Sequence, residues 1–224
     1  MVEGQVVRAE LVVFDWDGTL MDSTAAITRS IQAAAADLGL KVPDRKQASW
    51  VIGLGLRDSL NHAVPDLQKA RIPEFVDRYR FHYLHSEPSL GAFDGVLDML
   101  TRLKTIGVTM AVATGKSRAG LNRALEQTGW KNFFAETRTA DEGHPKPHPW
   151  MLLDLIASLN VEPSKTIMIG DTVHDLEMAL AASTRAVAVS YGAHQVSELQ
   201  ACNPEAVFED TPSLADWLIS QVHA

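Results

Sequence analysis

Residues 11–20 read LVVFDWDGTL, and no other stretch restricts the possible fold as strongly. Leu11, Val12, Val13 and Phe14 form an unbroken apolar run rich in β-branched and aromatic residues, and two aspartates and a glycine end it abruptly. Such a run belongs to a strand buried on both faces, as in a parallel sheet covered by helices. Sheets of that kind bind ligands just beyond the carboxyl ends of their strands, so Asp15 and Asp17 are expected at a ligand edge. Two carboxylates one residue apart oppose each other's ionisation unless positive charge stands between them. Magnesium meets that need, because it takes one or two carboxylates and completes its shell with water and phosphate oxygens. Gly18 lets the backbone turn tightly beside the site.

The next region reads as helical. An alanine-rich helix is predicted over 23–39 with Asp22 or Ser23 as its cap, a short one over 44–51, another beginning within 53–60, and a longer amphipathic one within 66–85. From residue 94 the pattern alternates. Helices are predicted over 94–106, 117–128, 150–159, 173–182 and 213–222, and strands over 108–114, 166–169 and 186–189, with a short apolar piece at 133–135. Strands alternating with helices at this spacing imply right-handed crossovers and a parallel sheet. The expected architecture is α/β, a Rossmann-like core over 1–20 and 88–224 with a helical cap over 21–87 inserted after the first strand. Because that insert leaves and re-enters near the strand's carboxyl end, it is expected above the ligand edge, as a lid.

Three more polar clusters fall at strand ends or the loops beyond them. Thr114, Gly115 and Lys116 follow the second strand, where a hydroxyl and backbone N–H groups at a helix start make a phosphate cradle. Lys146 lies in a loop stiffened by Pro145, Pro147 and Pro149, and an ammonium held there can offset the charge of phosphate and carboxylates. Asp171 ends a later strand and would complete a metal site. Asp175, one helical turn on, would orient a metal-bound water or a nearby lysine.

With these four clusters in order, the chain resembles the haloacid dehalogenase-like phosphohydrolase superfamily. DWDGT is similar to its first motif, Thr114 to the second, Lys146 to the third and GDTVHD to the fourth. A helical insert between the first two motifs resembles the subgroup of phosphoglycolate phosphatase and β-phosphoglucomutase. The resemblance implies that Asp15 is a nucleophile forming an aspartyl phosphate, and that Asp17 is the general acid and then base. It also implies Mg²⁺ held by Asp15, the Asp17 main-chain carbonyl and Asp171, with Thr114, Gly115 and Lys146 on the phosphoryl group. Dehalogenases of the superfamily lack an acid two residues after the nucleophile, so Asp17 points to a phosphatase. The mutases carry a lysine and an arginine near the cap glycine where this chain has Ile52 and Leu56. Arg57 is the one cation close by and could meet a substrate carboxylate. Hydrolysis of small phosphate monoesters, with phosphoglycolate as nearest analogue, is therefore expected; a sugar phosphate mutase or a pyrophosphatase is the alternative. Trp16 departs from the aliphatic residue usual at its place and is expected to point away from both acids into packing.

The remaining expectations come from composition. A net charge of −8 over 224 residues argues against nucleic acid as a partner. Cys202 is the single cysteine, so no internal disulfide forms. The N-terminus lacks a basic segment followed by an apolar one, and no run of 18 apolar residues occurs. A cytoplasmic protein with no membrane association is expected, a monomer or homodimer whose partner is a small phosphorylated metabolite.

Overall fold

The apolar run at residues 11–14 becomes the centre of a parallel sheet. The structure, a computed structural model, describes residues 8–223, with the side chains of 56–58, 88 and 223 outside that description. The first seven residues expected in the core therefore lie outside the described residues. The first strand is β1 (Leu11–Phe14), followed by four helices, α1 (Thr24–Asp37), α2 (Arg45–Trp50), α3 (Leu56–Ala63) and α4 (Ile72–Ser86). Next come α5 (Val96–Thr105), β2 (Thr109–Thr114), α6 (Arg118–Thr128), β3 (Glu136–Thr139) and α7 (Trp150–Leu159). The chain closes with β4 (Thr166–Gly170), α8 (Val173–Ala181), β5 (Arg185–Val189), α9 (Val196–Ala201), β6 (Ala206–Phe208) and α10 (Thr211–His223).

The six strands stand in the order β3-β2-β1-β4-β5-β6, and every neighbouring pair is parallel. Phe14 is level with Val112 of β2 and Ile169 of β4, so Asp15, Thr114 and Asp171 emerge at one edge. The two faces of β1 feed different cores. Val12 and Phe14 pack with Met99 and Leu100 of α5 and Leu214 and Leu218 of α10. Leu11 and Val13 pack with Met151 and Leu155 of α7 and Met178 of α8. Trp16 continues the Val12–Phe14 face, its ring 5.8 Å from that of Trp130 and 6.3 Å from that of Phe134, away from both acids as expected.

Helices α1 to α4 enclose an apolar cluster of their own, with Ile31, Leu60, Ala63 and Phe75 at its centre. The chain departs for this segment and returns from it side by side. Met21 bridges Ala92 in antiparallel fashion, and the Asp22 N–H donates to the Gly91 carbonyl at 3.0 Å. Among the described residues no helix is long and apolar enough to cross a membrane.

Two stretches carry elements that the sequence pattern did not announce, and one expected cap needs correction. The apolar piece at 133–135 is not the strand; β3 is the polar ETRT after it, an edge strand whose first three residues are only half-buried. Helix α9 and strand β6 fill the stretch before the last helix, where the sequence pattern showed neither. Ser23 stands at the N-terminus of α1 without capping it, because its hydroxyl donates to Asp17 instead, at 2.6 Å.

Candidate active site

Strand ends β1, β2 and β4 gather the acids and the hydroxyl at one edge, and the 143–150 loop delivers Lys146 beneath them. Asp15 is fully buried. Lys146 Nζ pairs with two carboxylates, 2.8 Å from Asp15 Oδ1 and 2.6 Å from Asp175 Oδ1. Asp15 Oδ2 is buried with no hydrogen-bond donor. Burial raises the Asp15 carboxyl from its ordinary value to about 7; Lys146 opposes that rise and Asp175 adds to it. Burial pulls the Lys146 ammonium down, but Asp15 and Asp175 outweigh it, so the lysine stays charged. Asp175 is fully engaged, since its other oxygen accepts from the backbone N–H and hydroxyl of Thr172 in a capping box at the start of α8.

Asp171 completes a group of three buried carboxylates, with Asp15 and Asp175, whose oxygens lie within 4.8 Å of one another. Thr19 donates to its Oδ1 at 2.9 Å and the Ala193 N–H to its Oδ2 at 2.7 Å, which fixes its orientation. Burial, with the charges of Asp15 and Asp175, holds its carboxyl well above the usual range. Three buried acids beside one ammonium, with Asp15 Oδ2 left without a donor, fit a hard divalent cation. Gly18 makes the approach possible: its φ is +85°, and a Cβ there would fall 2.1 Å from Asp171 Oδ2.

The Asp17 carboxylate turns away from this group. Besides the Ser23 hydroxyl it meets Lys116 Nζ at 3.0 Å, and the same ammonium donates to the Tyr83 hydroxyl of α4 at 2.9 Å. Lys116 therefore ties the sheet edge to the helical segment. Thr114 is buried, and its Oγ1 accepts from the Lys116 N–H, leaving its own proton free to donate. Gly115 lies so close to the α2–α3 turn that a Cβ there would sit 2.6 Å from the carbonyl oxygens of Gly53 and Leu54. Between edge and helices is a cavity of about 500 Å³, with Asp15, Asp17, Thr114 and Gly115 at one end.

A second junction lies behind the cavity. His174 of α8 and His194, beyond β5, both place Nε2 on the Trp50 carbonyl, at 2.9 and 3.0 Å, and Trp50 stacks on His62. His194 Nδ1 accepts from the Val173 N–H, so Nε2 carries the proton. Burial lowers the pKa of both rings and keeps them neutral.

Asp15, Asp171, Asp175 and Lys146 thus converge, and Asp17, Thr114 and Gly115 line the cavity beside them. Arg57 lies in α3, but its side chain is outside the described residues. Sequence reasoning placed Lys116 beside the cradle without a role for its ammonium, read Ser23 only as a cap, and did not assign Thr19, Tyr83 or the two histidines. Lys116 had a visible signal, adjoining the Thr114-Gly115 cradle; the others act through contacts distant in sequence.

A family model described as haloacid dehalogenase-like hydrolase matches residues 12–189. The chain is 36% identical over 206 residues to a protein named probable phosphatase IndB from Dickeya dadantii, covering 89% of each. It is 28% identical over 221 residues to a phosphoglycolate phosphatase from Psychrobacter arcticus, covering 94% of this chain and 96% of that one. The crystal structure of a hydrolase from Pseudomonas syringae shares the fold with a TM-score of 0.85 at 19% identity, covering 93% of this chain and 97% of that one.

Proposed function

Because this chain belongs to the haloacid dehalogenase-like hydrolase family, we propose that it is a magnesium-dependent phosphatase of small phosphate monoesters, working through an aspartyl phosphate on Asp15. The observation that carries this reading is the buried Asp15 carboxylate on the cavity lining, its Oδ1 paired with Lys146 and its Oδ2 without a donor. A buried carboxylate oxygen that is neither solvated nor hydrogen-bonded keeps its lone pairs for an electrophile. Phosphoglycolate, the substrate named for relatives, is the nearest analogue.

One Asp15 oxygen attacks phosphorus, and the bond to the leaving oxygen breaks as that oxygen takes a proton from Asp17. Ionised Asp17 then removes a proton from water, which attacks phosphorus, releases phosphate and restores the Asp15 carboxylate. The Lys146 ammonium, the Thr114 hydroxyl and the Gly115 N–H receive the phosphoryl oxygens, since phosphoryl transfer asks mainly for positioning and charge cancellation. Asp175 holds Lys146 in place. Mg²⁺ bound by Asp15, the Asp17 carbonyl and Asp171 would neutralise phosphate charge and orient the ester. Residues 21–87 act as a cap that excludes bulk water, joined to the edge through Lys116 and Tyr83.

The test is phosphate release from phosphoglycolate, sugar phosphates and pyrophosphate, with and without Mg²⁺, for the wild type and Asp15→Asn. Release that needs Mg²⁺ and vanishes in the variant is the expected result. Release that survives Asp15→Asn, or phosphate moving between sugar positions without release, would overturn the reading.

A further inference from the structure

The cavity has two unlike ends. The Asp15 end is polar and charged, whereas the helical wall is mainly aliphatic, with Ile27 and Ile31 of α1, Val51 and Ile52 of the α2–α3 turn and Val76 and Tyr79 of α4 outnumbering Ser59 of α3 and Arg80 of α4. The aliphatic side chains are buried against the helical cluster, so repacking cannot exchange them for polar groups. The Tyr79 hydroxyl has no hydrogen bond to a described residue, while its ring stacks on Tyr83 at 5.8 Å.

Size points the same way. About 500 Å³ falls within the range of roughly 300–1,000 Å³ that encloses drug-sized ligands, far more than a phosphate and a two-carbon acid fill. A sugar would fill it too, but the hydroxyls turned toward Ile27, Ile31, Val51, Ile52 and Val76 would meet side chains that neither donate nor accept.

We infer that the leaving group of the preferred substrate carries a compact apolar or aromatic body, seated on Ile27, Ile52, Val76 and Tyr79. The inference rests on the reading that the phosphoryl group occupies the Asp15 end. The enzyme then discriminates by burial of hydrocarbon: an aromatic alkyl phosphate is favoured over both phosphoglycolate and an aldose phosphate.

Benzyl phosphate, phosphoglycolate and glucose 6-phosphate test this, all three being phosphates of primary alcohols. Two measurements are paired: kcat/KM for the wild type with Mg²⁺, and calorimetric affinity for Asp15→Asn, which needs no turnover. The expected result is at least a tenfold preference for benzyl phosphate in both. Val76→Thr keeps the shape but adds a hydroxyl, and should reduce that preference about threefold. Phosphoglycolate or glucose 6-phosphate binding Asp15→Asn as tightly as benzyl phosphate, or none of the three binding, would overturn the inference. Wild type that binds with the expected preference but releases no phosphate would sink the phosphatase reading and leave the leaving-group preference standing.

Discussion

The Lys146 ammonium pairs with Asp15, its Nζ 2.8 Å from Oδ1, and is held there by a 2.6 Å hydrogen bond to Asp175. The lysine supplies charge to Asp15 through Oδ1 and leaves Oδ2 open. Asp175 therefore sets the direction in which Lys146 points. Asp175→Asn should lower kcat about 10–100-fold, as loss of an orienting partner does at comparable sites. Steady-state kinetics with a parallel urea melt checks this, and an unchanged kcat in a folded variant would contradict it.

Removing the cation itself has a larger structural effect. Lys146→Met leaves Asp15, Asp171 and Asp175 buried with no positive side chain among them. Loss of one partner from a buried ion pair costs about 3–5 kcal/mol, and loss of a charged donor to the transition state costs about 10²–10³-fold in kcat. Urea denaturation and kinetics measure the two separately; a variant as stable as wild type would refute the burial argument.

Asp15 also predicts a pH dependence. Its carboxyl is raised from 3.8 to about 7, so the folded state holds a proton that the unfolded chain has released. That contribution to stability is complete below the unfolded value and disappears as pH rises through about 7. Asp171 is shifted in the same direction. Metal-free protein should therefore lose thermal stability between about pH 5 and about pH 8, while Mg²⁺, which favours the ionised acids, should stabilise it more at the upper end. Melting in chelator and in Mg²⁺ across this range reads both; a Mg²⁺-induced shift in Tm independent of pH would count against these ligands.

The parts legible from sequence were those where one short segment carries the whole signal. The run at 11–14 and its two acids announced both a buried strand and a ligand edge, because full burial removes the usual alternation. Strand β3 was hidden for the opposite reason: Glu136, Thr137 and Arg138 lie at the sheet's edge, where polar side chains are tolerated and no apolar run is required. β6 has only three residues, too few for a period to show. In the site, Thr114, Lys146 and Asp171 stood beside strand ends or rigid loops and could be read locally. The bond from Ser23 to Asp17 could not, since Ser23 looks like an ordinary helix cap until the fold brings Asp17 within 2.6 Å of it.

His174 and His194 share one acceptor, the Trp50 carbonyl. Loss of either leaves that carbonyl bonded to the other; loss of both leaves it unpaired. The double variant His174→Ala/His194→Ala should therefore be less stable than the sum of the singles by about 0.5–3 kcal/mol. A double-mutant cycle in urea measures the coupling, and simple additivity would show that the carbonyl does not depend on the pair.

Trp16 separates packing from chemistry within three consecutive residues. Its side chain lies against Trp130 and Phe134, on the face of β1 opposite the one that continues into Asp15 and Asp17. Its carbonyl, by contrast, accepts from the N–H groups of Leu20 and Met21 at 3.0 and 2.9 Å and shapes the turn that holds both acids. Trp16→Leu removes the ring but keeps that carbonyl, so stability should fall by about 2–4 kcal/mol through the cavity left behind. The value of kcat/KM should stay within about twofold, because the acids are held by backbone and by Ser23, Lys116 and Lys146. Denaturation and kinetics on the same preparation decide it: a tenfold loss of kcat/KM with little loss of stability would mean that the ring, and not the backbone beneath it, positions the acids.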